Sequence, residues 1–103
     1  MASTIVHHPR VAWDAALALV RAARADDAVV SWCRDWVAHV LGPIDASAFL
    51  ATRRRLADPA AALNEVQVQE GLWRVRIEDA LRVFPDLAEP LLDRIADTRV
   101  RIA

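Results

Sequence analysis

Glu65-Val66-Gln67-Val68-Gln69-Glu70-Gly71-Leu72-Trp73-Arg74-Val75-Arg76-Ile77 is the stretch on which the fold turns. At strand period, Val66 and Val68 alternate with polar residues, as do Trp73, Val75 and Ile77. Gln69-Glu70-Gly71-Leu72 would then be the turn of a hairpin at 65–77. At helical period, Leu63, Val66, Trp73, Ile77, Ala80, Leu81 and Phe84 line one side of residues 60–84, broken only by Glu70. The helical stripe is longer and follows Pro59 and three alanines, whereas Gly71 and the β-branched residues speak for strands. We read the segment as a helix. Opposite its main stripe it carries a second apolar row, Val68, Leu72, Val75 and Val83, more than so short a chain can cover by itself.

The flanks read as helices too. Asp58 suits an N-cap and Pro59 the first helical position after it. Upstream, Asp45 can cap a helix over Ala46 to Ala57, with Phe49, Leu50, Leu56 and Ala57 inward. Before that, Asp26 or Asp27 caps a helix carrying Val29, Trp32, Cys33, Trp36, Val37 and Val40, which Gly42-Pro43 ends. The spacing predicts a first helix from Arg10 to Ala25, with Trp13, Leu17 and Val20 on one face, so apolar that it belongs at the centre. After Phe84-Pro85 a last helix is expected from about Asp86 to Thr98, with Leu87, Leu91, Leu92 and Ile95 inward and Pro90 tolerated in its first turn. The expected layout is an irregular arm at 1–9, one helical domain at 10–98 and a frayed tail at 99–103. It is an all-α bundle of about five short helices, with a winged-helix-like α+β arrangement as the alternative.

Composition agrees with one small globular unit. Of 103 residues, 55% are hydrophobic and 26% charged, and only 2 Gly and 5 Pro interrupt them. The 13 basic residues are balanced by 14 acidic ones for a net charge of -1, which gives no overall pull toward nucleic acid or an anionic membrane. Lysine is absent, which reads first as compositional bias. A single cysteine, Cys33, excludes an internal disulfide framework and fits a reducing compartment. No leader pattern and no span-length apolar run is read, so a cytoplasmic protein is the expectation.

No residue pattern specifies a reaction, and no catalytic, cofactor or metal residues are assigned. His7-His8 lacks further ligands at metal spacing. Asp35 and His39 lie one helical turn apart, which is half a site with no third member. Cys33 falls on an apolar stripe, away from Arg34 and His39, as a small core residue. Trp13, Trp32, Trp36 and Trp73 all sit at core spacing. Arg53-Arg54-Arg55 stands out: Arg55 points to solvent, Arg54 lies at the edge, and Arg53 falls between Phe49 and Leu56, where its guanidinium must snorkel or find an anion.

Two resemblances cover parts of the chain. With a hairpin at 65–77 the order looks like a winged helix, with Arg53, Arg54 and Arg55 on the groove-entering helix and Arg74 and Arg76 on the wing. That implies duplex DNA as partner. Trp73 to Ile95, with Ala80-Leu81, Phe84-Pro85-Asp86-Leu87-Ala88 and Leu91-Leu92, resembles the helical hairpins of small bacterial adaptor modules. That implies a protein partner. The preferred expectation is a non-enzymatic interaction or adaptor module that self-associates or docks on a protein through Val68, Leu72, Val75, Arg53, Arg54 and Arg55. A DNA-binding regulator is second, an enzyme last.

Overall fold

The computed structural model describes residues 7–103. They form five α-helices, α1 (His8–Ala23), α2 (Asp27–Val40), α3 (Pro43–Ala57), α4 (Glu65–Val83) and α5 (Ala88–Ile102), with a 3-10 turn at Pro85–Leu87 leading into α5. No strand occurs among the described residues, so the 65–77 hairpin, and with it the wing, is replaced by one rod. The pattern of burial gives the reason. A strand would place Trp73, Val75 and Ile77 on one face. Helical winding instead buries Trp73 and Ile77 and turns Val75 outward. The buried side then continues through Leu81 to cover α1.

Alpha-1 is the centre of the bundle and packs on each of the other four helices, most extensively on α4. Ala12, Ala15, Ala16, Ala22 and Ala23 are buried there. Side chains this small let neighbouring axes come close. That closeness corrects the expectation for Trp13. An indole has no room on the alanine face, and Trp13 lies on the strip shared with Arg10, Asp14 and Arg21, 41% exposed. Trp36 and Trp73 are core residues as expected, and Trp32 is half-buried under the Arg101 guanidinium, 4.2 Å from its ring centroid.

Several boundaries shift for identifiable reasons. Alpha-1 begins at His8, since Pro9 suits a first turn; residues 1–6 of the expected arm lie outside the described residues. Asp26 caps α2, accepting a hydrogen bond from the Val29 N–H at 2.9 Å. Gly42 then serves two helices. Its N–H closes the end of α2 on the Val37 and Ala38 carbonyls, and its own carbonyl accepts from Ala46 N. Its φ of 103° is one that a side-chain-bearing residue rarely adopts. Alpha-3 therefore starts at Pro43, and Asp45 is not its cap. Asp58 caps no helix either. Its carboxylate accepts from Ala60 N at 2.9 Å in a local turn, Leu63 is fully exposed, and α4 starts only at Glu65. Alpha-5 runs past Thr98 to Ile102, which packs against the core, while Leu92 faces outward.

Gly71 lies inside α4, and a Cβ built there meets nothing within 4 Å. Gly71→Ala is therefore expected to stabilise the monomer by about 0.5–1 kcal/mol through helix propensity alone. Urea denaturation of dilute protein checks this, and a lowered midpoint would contradict it.

Candidate functional site

Alpha-3 packs mainly on α2 and α1 and only lightly on α4. Ala48 and Ala51 on α3 are too small to fill the gap, which leaves an open groove of about 880 Å³ between α3 and α4. Leu72 and Val75 form its apolar wall on α4. Arg54, Arg55 and Asp58 stand along one rim, Arg76 and Asp79 along the other. With Val68 beyond the groove's end, Val68, Leu72 and Val75 make an outward row, 41%, 57% and 48% exposed.

The floor is polar and closed. The Trp73 indole Nε1–H donates to Thr52 Oγ1 at 2.9 Å, and the Thr52 hydroxyl donates to Gln69 Oε1 at 3.0 Å. Gln69 Nε2 donates to Glu65 Oε1 at 2.9 Å, and Arg55 Nε reaches the same oxygen at 2.6 Å. Thr52, Glu65 and Gln69 are all buried, and this relay gives each a partner, which a buried polar group requires. The sequence reading missed it. The available signal was that Glu65, Gln69 and Trp73 recur every fourth residue and so share one face.

The Gln69 amide and then the Arg55 guanidinium hold the Glu65 carboxyl below the usual carboxylate range. A carboxylate with a depressed native pKa stabilises the fold above its unfolded value of about 4.3 and loses that contribution as pH falls through the native one. The stability difference between wild type and Glu65→Gln is thus expected to shrink on acidification below about pH 5. Denaturation midpoints of both proteins across the acid range test this; a difference independent of pH would refute it.

The remaining sequence candidates are scattered. Arg53 lies outside the groove. Its Nη1 donates to the carbonyls of Ala23 and Ala25 at 3.1 and 2.8 Å, and its Nη2 to Asp27 Oδ1 at 2.7 Å, so it ties the end of α1 to the start of α2. Arg54 has no hydrogen bond or ion pair among the described residues. Arg74 pairs with Glu78 at 2.9 Å within α4, and Arg76 with Asp45 at 2.9 Å across to α3, rather than lining a wing.

Asp35 pairs with its neighbour Arg34 at 2.7 Å, while His39 borders a separate shallow depression with Asp93 and Asp97. No group of three metal-ligating side chains occurs among the described residues. Cys33 is fully buried, which pushes its thiol up to about 12 and leaves no usable thiolate. The Trp36 indole, whose contact with that sulfur falls short of hydrogen-bond geometry, is the one buried side-chain polar group without a partner among the described residues.

No protein-family model matches the chain. Nor does any curated protein or solved structure match it significantly. No helix among the described residues is long and apolar enough to cross a membrane.

Proposed function

We propose that the chain is a protein-interaction module that docks a helical segment on the outer face of α4 and in the α3–α4 groove. The observation that carries this reading is the Val68, Leu72 and Val75 row. Three aliphatic side chains at helical spacing stand exposed beside an open concavity whose rims carry Arg54, Arg55 and Asp79. Helix-in-groove recognition uses such a layout: apolar anchors at i, i+4 and i+7, with charges at the edge that set orientation. The exposed half of each of these side chains contributes nothing to the isolated fold, whereas desolvating it against a partner is favourable.

The reading gives roles to Leu72, Val75, Arg54 and Arg55 in the groove and to Val68 just beyond it; Arg53 is assigned to the scaffold. A photo-crosslinking amino acid at Leu72, introduced in the cell that makes the protein, tests the proposal. We expect a protein adduct from Leu72 and little from Val100, a still more exposed aliphatic on α5. Equal labelling from both positions, or none from Leu72, would defeat it.

A further inference from the structure

We infer that the helix docking on α4 is α4 of a second copy of this chain, crossing it antiparallel at Gly71 and Leu72. The inference rests on the docking reading above and names its occupant.

Three observations point the same way. The first is shape. Val68, Gly71, Leu72 and Val75 sit at i, i+3, i+4 and i+7, the four corners of the hole that receives one knob in helix pairing. Three corners are exposed aliphatics and the fourth has no side chain. Leu72 is both the most exposed member of the row and a side chain of the size such a hole accepts, so one surface supplies knob and hole. A two-fold interface requires this self-complementarity.

The second observation is Gly71 itself. Glycine inside a helix is unfavourable, and within the chain nothing approaches its missing Cβ. Close approach by an outside helix is what the absent methyl permits.

The third is charge. Outside the row, the N-terminal half of α4 presents neutral Asn64 and Gln67, and the C-terminal half presents Arg76, Asp79 and Arg82, with Asp79 held by Arg82 at 3.0 Å and Arg76 by Asp45 at 2.9 Å. A parallel pair would bring the two charged halves together, Arg76 beside Arg76 and one Asp79–Arg82 pair beside the other, and strip water from all of them, which is costly. An antiparallel pair sets each charged half against the other copy's amides. There the Arg76 guanidinium can donate to the Gln67 carbonyl, and the Asn64 amide to the Asp79 carboxylate.

Light scattering from about 10 μM to about 1 mM chain is expected to show the mass rising from one chain toward two. Leu72→Asp should stay at the mass of one chain with an unchanged helical circular dichroism spectrum. Gly71→Leu separates a shaped hole from general stickiness. The substitution adds apolar surface, yet by filling the hole it should weaken association about tenfold or more. Stronger association would overturn the proposal.

Single cysteines then fix the direction, with buried Cys33 silent. Leu72→Cys, close to the two-fold axis, should form an inter-chain disulfide on mild oxidation, whereas Asp79→Cys should not. Equal cross-linking at both positions would mean a parallel pair and overturn the proposal. A wild-type mass of one chain throughout would overturn self-docking alone. The photo-adducts at Leu72 judge the docking reading separately, and an adduct with a different protein would keep that reading while discarding the second copy.

Discussion

Replacing Trp73 with Ala is expected to cost about 3–5 kcal/mol from lost burial and the cavity left behind. Trp73 is 1% exposed and among the largest fully buried side chains of the core. The substitution also removes the indole N–H that donates to Thr52 Oγ1. A buried hydroxyl left with one fewer partner adds about 1 kcal/mol. Against the roughly 5–15 kcal/mol that stabilises an ordinary domain, this is a large share. The urea midpoint should fall steeply, and much of the protein should be unfolded on warming. Trp73→Phe keeps most of the volume and loses the donor, so a smaller loss of about 1–2 kcal/mol is expected. If both variants lose the same amount, the hydrogen-bond relay rather than the packed ring holds α3 to α4.

That central place for Trp73 was legible in the sequence, because the long stripe through Trp73, Ile77 and Leu81 outweighed the short alternations around it. The start of α2 was legible for a similar reason: Asp26 supplies a cap immediately before an apolar helical pattern. Boundaries failed where one residue serves two elements. Gly42-Pro43 reads as a stop signal for α2, and it is one, yet proline is equally at home at a first helical position, so the same pair opens α3. Asp58-Pro59 reads as a helix start, but the Asp58 carboxylate is spent on a local turn. Trp13 shows the limit of periodicity in a helix that is apolar nearly all round. Which flank is covered depends on where the neighbours pack, and the alanine flank admits the closest neighbours.

The outward row of the candidate site could be read from one chain because Val68, Leu72 and Val75 oppose the main stripe, and one helix face is enough for the core. The groove beside it could not. Its existence depends on how far α3 leans from α4, a tertiary distance that no local pattern encodes. The polar floor was hidden by the convention that carboxylates and amides mark a wet face; Glu65 and Gln69 are buried because Arg55, Thr52 and Trp73 satisfy them. In the arginine triplet the sequence reading asked for an anion only at Arg53 and left Arg54 and Arg55 at the edge and in solvent; in the structure the three members divide. Arg55 finds Glu65, Arg54 stays unpaired among the described residues, and Arg53 turns back into its own chain.

For Arg53 the consequence is a stability effect: Arg53→Ala is expected to cost about 2 kcal/mol and to leave the α4 docking face intact. Of the two carbonyls it holds, that of Ala23 closes the end of α1, where the last carbonyls of a helix lack partners within it, and that of Ala25 lies in the short link to α2. A cation there also meets the negative end of the helix dipole. Its side chain is only 29% exposed, so these charge-assisted bonds are partly shielded from water. Asp27 is different. Its side chain is almost wholly exposed, and an ion pair of that kind contributes little, so Asp27→Asn should cost no more than about 0.5 kcal/mol. Arg53→Lys should recover only part of the loss, since a single ammonium cannot span both carbonyls and the carboxylate as the guanidinium fork does. Urea denaturation of the three variants orders them as Ala, then Lys, then Asp27→Asn by decreasing loss. If Asp27→Asn proved as damaging as Arg53→Ala, the exposed ion pair, and not the carbonyl contacts, would be what joins α1, α2 and α3.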